Sequence, residues 1–241
     1  MNVSGELTFR ISDETGLEFV FSSGSRLDIA CHVHLSTVTL TLVRAGQVNI
    51  KTAGGERSYG AGEVYLTAPC RRHSASYDCG YDLVSLCLRR EFVESYPAAE
   101  IQKLCFEEID RLKECGSLSA DDAARLGQAL RKTDFNRLFQ LPASVSVARW
   151  LEEVESGSDS PAAQSSRFHF IRLFRRDTGL TPHQYLLRRR VKLARALLSD
   201  RLSIADVALE TGFYDQSHLD RYFKKVVGLS PRDYIKSLHH F

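Results

Sequence analysis

Over the first 95 residues apolar positions recur with a period of two, in short runs broken by glycine. The runs are Val38-Thr-Leu-Thr-Leu-Val43, Gln47-Val-Asn-Ile-Lys51, Val64-Tyr-Leu-Thr67 and Leu83-Val-Ser-Leu-Cys-Leu88, with turn signals at Thr52-Ala-Gly-Gly-Glu56 and Gly60-Ala-Gly62. Such alternation predicts half-buried strands, and its regular punctuation predicts an all-β barrel or sandwich. Beyond Ala98 the period changes to 3.6. Ile101, Leu104, Cys105, Ile109 and Leu112 form one stripe on a helix that stops before Gly116. Ser119 with Asp121 and Asp122 starts a second helix carrying Leu126 and Leu130. That stripe serves either as an interhelical seam or as a face packed on the strands. A further helix, Val145 to Glu155, carries Trp150, Leu151 and Val154, and the polar stretch Ser156-Gly-Ser-Asp-Ser-Pro161 reads as a linker.

The last third says one structural thing twice. His169-Phe-Ile-Arg-Leu-Phe-Arg-Arg-Asp-Thr-Gly-Leu-Thr-Pro-His-Gln-Tyr-Leu186 returns, forty-nine residues on, as His218-Leu-Asp-Arg-Tyr-Phe-Lys-Lys-Val-Val-Gly-Leu-Ser-Pro-Arg-Asp-Tyr-Ile235. Each copy reads as a cationic helix, a glycine stop and a Ser/Thr-Pro start for the next helix. Ahead of the second copy, Ser203 to Phe213 has an N-cap, apolar Ile204, Val207 and Ala208, and a glycine turn. This is the first half of a helix-turn-helix, with Gln216 to Val226 as its recognition helix. Shifting back by forty-nine gives Glu153-Val-Glu-Ser-Gly-Ser-Asp-Ser160, which lacks the apolar spacing, so the first unit is predicted to be incomplete.

On these residues the chain from 161 to 241 resembles the DNA-binding domain of the AraC/XylS family of bacterial transcription regulators. The amino-terminal order His32-x-His34, strand, Gly46, strand, Gly-Gly-Glu, Gly62-Glu63, Pro69 and His73 is similar to the small cupin barrel of many such regulators. The resemblance implies an α+β chain of two domains: a cupin-like effector barrel over 1–95, then a helical linker and candidate dimerisation element over 96–141. An all-α domain with two helix-turn-helix units follows over 142–241. It also implies double-stranded operator DNA as partner, a small-molecule effector, a homodimer, and RNA polymerase at the promoter.

Charge supports the division. Residues 161–241 carry 15 Lys and Arg against 7 Asp and Glu, and residues 1–160 carry 17 against 23, so the whole-chain net charge of +2 hides a basic module joined to an acidic one. A compact basic module suits a phosphate-binding surface. No apolar run approaches the ~18 residues that span a bilayer, and no signal peptide is evident, so a cytoplasmic protein without membrane contact is expected. The six cysteines, all before residue 116, form no Cys-x-x-Cys pair and read as buried thiols in a reducing compartment.

Within the recognition helices the candidates for base contact are Gln216, His218, Asp220 and Arg221 in the second unit and Arg167, Phe168, Ile171 and Arg172 in the first. Ser217 and Lys225, with Arg175 and Arg176, are candidates for phosphate. Phe174, Phe223, Leu180, Leu229, Tyr185 and Tyr234 read as core. His32, His34 and His73 are candidate effector contacts. Metal-dependent cupins add a carboxylate a few residues beyond the His pair, but Leu35 to Leu42 contains no acid, so neither a metal nor another cofactor is expected. Two other readings stay open: a cupin metalloenzyme fused to a DNA-binding module, and a constitutive regulator that has lost effector sensing. No catalytic residue is singled out.

Overall fold

The computed structural model describes residues 2–32, 34, 37–52, 54–69, 71–77, 80–135, 145–155, 167–199 and 202–241. The chain divides into two compact units: Met1–Pro69, His73–Phe139 and Lys236–Phe241 form the first, and Gln140–Ile235 with Cys70–Arg72 form the second.

In the first unit the described residues form one nine-stranded sheet, in which the order is 55–60, 47–52, 73–77, 18–32, 81–89, 37–45 and 64–67, with 2–11 paired to 18–32 and to 238–240. The alternating runs become β3 (Thr37–Ala45), β4 (Gln47–Thr52), β6 (Val64–Thr67) and β8 (Tyr81–Arg89). β1 (Asn2–Ile11), β2 (Glu18–His32), β5 (Gly55–Gly60) and β7 (His73–Tyr77) complete the antiparallel arrangement. β3 and β8 are buried on both faces, so alternation there separates two cores rather than core from solvent. On one face, Phe19, Val38, Leu40, Leu42, Val84, Leu86 and Leu88 share a cluster with residues of the helices that follow; on the other, Val43, Val48, Ile50 and Leu83 meet Tyr65, Tyr77 and Tyr81. Gly46 makes the β3–β4 turn at φ +83°, where a Cβ would stand 2.1 Å from the Gly80 carbonyl oxygen, so no other residue fits.

After the short helix α1 (Arg90–Ser95), helices α2 (Ala98–Glu114) and α3 (Ala120–Arg131) match the 3.6-period segments. Gly116 follows α2 in the left-handed conformation, and Ser119 and Asp122 cap α3 reciprocally, with Asp122 N–H to Ser119 Oγ at 3.1 Å and Ser119 N–H to the Asp122 carboxylate at 3.0 Å. Of the two roles the stripe could serve, it serves the second. Ile101, Cys105, Ile109 and Leu112 are at most 2% exposed and lie in the sheet's own cluster, while Leu104 is half-buried. The apolar area that would have formed an interhelical seam is thus buried within the unit, and residues 96–135 belong to the first unit.

Two buried carboxylates tie this unit together. Glu18 on β2 pairs with Arg89 at 3.0 Å. Glu108 on α2, 1% exposed, accepts from Ser12 at 2.5 Å and Thr15 at 2.9 Å across the β1–β2 turn. The carboxyl-terminal boundary also moves. Leu238–His240 form β9, parallel to Phe9–Ile11, and Phe241 packs its ring edge-on to Phe19 at 6.3 Å while its N–H reaches the Ile11 carbonyl at 3.2 Å. The helical unit expected to run to residue 241 therefore ends at Ile235.

The second unit contains α4 (Val145–Glu155), α5 (Arg167–Thr178), α6 (Pro182–Ser199), α7 (Ile204–Glu210), α8 (Gln216–Val227) and most of α9 (Pro231–Ser237). Trp150 of α4 closes one aromatic core with Phe170, Phe174 and Tyr185, at centroid distances of 6.1, 4.8 and 5.8 Å. Phe223 and Tyr234 repeat the motif at 5.4 Å, with the Arg195 guanidinium over the Tyr234 ring at 5.1 Å. The six residues expected as core are buried apart from Leu229, which is half-buried.

Candidate nucleic-acid interface

The second helix-turn-helix is built from local signals that agree with one another. Ser203 caps α7, accepting from Asp206 N–H at 3.2 Å, and Val207 and Ala208 are fully buried beneath it. Gly212, at φ +77°, makes the turn, and its carbonyl accepts from the Arg190 guanidinium at 2.5 Å. Asp215 caps α8 by accepting from His218 N–H at 2.7 Å, and Gly228 closes the helix in the left-handed conformation at φ +95°. Buried Leu219 and Phe223 fix which face of α8 turns inward. The opposite face presents exposed Gln216, Ser217, Arg221, Lys224 and Lys225, with Asp220 half-exposed beside them.

His218 has a different surrounding from that expected of a base reader. Its Nδ1 accepts from Tyr214 N–H at 3.3 Å, and its ring stands edge-on to Phe213 and Tyr222 at 5.3 and 5.1 Å. The imidazole thus helps to set the turn ahead of α8. Tyr214, 87% exposed at that turn, was not singled out from the sequence; the only signal for it was its place immediately before an N-cap.

α5 matches α8 in register forty-nine residues earlier. Phe170 and Phe174 face inward at 4% and 0% exposure, and Arg167, Phe168, Arg172, Arg175 and Arg176 are exposed, with Ile171 half-buried. Arg176 is partly committed elsewhere, its Nε lying 2.8 Å from Asp177. The eroded support segment, Glu153 to Ser160, falls mostly outside the described residues, which resume at Arg167. Between the recognition helices runs α6, 18 residues long and capped reciprocally by Thr181 and Gln184. At 1.5 Å per residue it extends ~27 Å, close to the ~34 Å between successive major-groove openings on one DNA face. The Arg188-Arg-Arg190 run on α6 is half-buried throughout, and burial lowers the Arg188 pKa below the usual guanidinium value. The run therefore serves the unit's own packing as well as its surface charge.

In the barrel, His34 and His73 stack with centroids 5.2 Å apart, and His32 stands opposite His73 in the β2–β7 register. The His32 side chain lies outside the described residues. Among the described residues no group of three His, Cys, Asp or Glu side chains is placed to hold a metal ion. A hydroxyl-rich core lies on the sheet's other face and went unnoticed in the sequence. Tyr65 and Tyr77 share a hydrogen bond at 2.9 Å, Tyr77 and Tyr81 pack at 5.1 Å, Thr41 meets Ser85 at 2.8 Å, and Thr39 pairs with Thr67. Burial raises the pKa of both Tyr65 and Tyr77, so these phenols are neutral donors. Among the described residues the buried Tyr81 hydroxyl has no hydrogen-bond partner.

Residues 160–237 match a family model described as a helix-turn-helix domain. The probable transcriptional regulator LumQ of Photobacterium leiognathi is 38% identical over 76 residues, 31% of this chain and 31% of its own length. The transcriptional activator RhaS of Escherichia coli is 41% identical over 63 residues, 26% of this chain and 23% of its own. The chain thus spans under a third of the length of these relatives. ToxT from Vibrio cholerae, in a structure bound to (E)-4-(8-methylnaphthalen-1-yl)but-3-enoic acid, shares the fold with a TM-score of 0.57 at 12% identity, over 91% of this chain and 98% of that one. A second ToxT structure, bound to an unsaturated fatty acid, gives 0.53 at 14%, over 91% and 95%. No helix among the described residues is long and apolar enough to cross a membrane.

Proposed function

We propose that the chain is a sequence-specific, cytoplasmic DNA-binding transcription regulator of the AraC/XylS type whose barrel receives a small-molecule effector; the match of residues 160–237 to a helix-turn-helix family model supports this reading. The observation that carries this reading is the pair of recognition helices in register. Each turns phenylalanine inward and an arginine-bearing face outward, and the helix between them, ~27 Å long, is close to the ~34 Å between successive groove openings. Exposed cations along α5 and α8 supply the phosphate attraction that underlies all duplex affinity, and Gln216, Asp220 and Arg221 supply groups that distinguish base edges. Operator binding beside RNA polymerase, as a homodimer, is what the resemblance to the AraC/XylS family implies.

Support for an effector comes from the fold shared with ToxT and from the small molecules named in the ToxT structures. For such a ligand the candidate contacts are His32, His34 and His73, of which His34 and His73 stack on one another. Selection of duplexes from a random library by the purified full chain, followed by anisotropy titration, tests the reading. Enrichment of a defined sequence, with affinity that falls steeply with salt, is expected. Binding that ignores sequence, or no binding at low salt, contradicts it.

A further inference from the structure

We infer that Phe168 reads the 5-methyl group of a thymine, so that the first recognition helix selects its subsite by apolar contact and the second by hydrogen bonding. The inference rests on the DNA-binding reading and adds the chemistry of one half of the site. Phe168 is 80% exposed, although its neighbours Phe170 and Phe174 are buried in the Trp150 core. Burial thus assigns this aromatic no part in the fold, and leaving it in water forgoes the gain of covering it. Ile171 and Arg172 follow it at i+3 and i+4 on the same face, and Arg175 at i+7.

Exposed Arg167, Arg172, Arg175 and Arg176 surround the ring with positive charge, which identifies a polyanion as the occupant of this face. Register then sharpens the chemistry. Where α8 has Gln216, Ser217 and Asp220, α5 has Arg167, Phe168 and Ile171. Two groups able to hydrogen-bond are replaced by two that cannot. In the major groove of a duplex the one apolar feature that varies with sequence is the thymine methyl, so an apolar pair at these positions selects thymine.

The test uses the full chain and duplexes selected from a random library. Each thymine in the subsite of the first helix is replaced in turn by deoxyuridine, which removes only the methyl and keeps the pairing. At one or two positions the wild type should bind the uridine duplex about fourfold more weakly, the factor expected for losing one buried methyl. Phe168→Ala should bind the thymine and uridine duplexes alike, whereas Arg172→Ala, weaker overall, should keep the ratio. Because Phe168 is exposed, thermal unfolding of Phe168→Ala should match the wild type, and Phe168→Leu should retain part of the discrimination. A thymine preference that survives intact in Phe168→Ala at every position would overturn the inference, as would uridine duplexes that bind the wild type as well as thymine ones. Failure to select any duplex would instead remove the DNA-binding reading on which it stands.

Discussion

Arg221→Ala is expected to weaken the full chain's hold on its specific duplex by roughly 1–3 kcal/mol and to relax selectivity at one base position. Arg172→Ala, its counterpart in register, should cost less. Both guanidinium groups are exposed. The difference lies beneath them. α8 is held by the Asp215 cap, by Gly228, by Leu219 and Phe223, and by α7, itself capped and resting on fully buried Val207 and Ala208. Ahead of α5, residues 153–160 carry no apolar spacing that could build an equivalent support. A base contact is worth its full amount only when the side chain is held in the productive geometry before binding. Parallel titrations of the two variants on the selected duplex and on scrambled DNA check this; a silent Arg221→Ala beside a damaging Arg172→Ala would reverse the ranking.

The second large effect is on stability. Leu104→Glu with Ile109→Glu should unfold the first unit, not merely separate subunits. Ile109 is 2% exposed within the cluster that joins α2 to Phe19, Leu40 and Leu86. An unpaired carboxylate there costs several kcal/mol, against a whole-domain stability of ~5–15 kcal/mol. Circular dichroism should show the first unit's cooperative melting transition lost or moved far down. A double variant that keeps that transition and sediments as a folded monomer would restore the interhelical seam.

The two halves were unequally legible. The carboxyl-terminal unit could be read because its signals are local: Ser203, Asp215, Gly228 and Pro231 each act within a turn, and the repeat states the last two a second time as Gly179 and Pro182. Helices Pro182–Ser199 and Gln216–Val227 accordingly fall where capping and periodicity place them. In the barrel, alternation marked the strands but not their partners, because pairing joins residues far apart in sequence, as in Thr39 with Cys87 or His32 with His73. The two roles open to the α2 stripe could not be separated from periodicity, since a buried face and a dimer seam have the same spacing.

Three features carried no readable signal. The Tyr65–Tyr77–Tyr81 core is assembled from three strands. Glu108 lies at the edge of an apolar stripe with no local signal for burial, since its partners Ser12 and Thr15 are 96 and 93 residues away. The pairing of Leu238–His240 with Phe9–Ile11 joins the two ends of the chain, beyond the reach of any local rule. His218 lies between these extremes: the sequence places it on the recognition helix, but the Tyr214 amide that its Nδ1 accepts from belongs to tertiary geometry.

The measurement that tests the account most directly compares the selected duplex with the same duplex carrying an insertion of about five base pairs between its two subsites, which turns them to opposite faces of the helix. If α5 and α8 enter successive major grooves from one chain, the insertion should reduce affinity to that of a duplex containing only the α8 subsite. Equal affinity for the two duplexes would show that the helices do not bind in register, and would contradict the account.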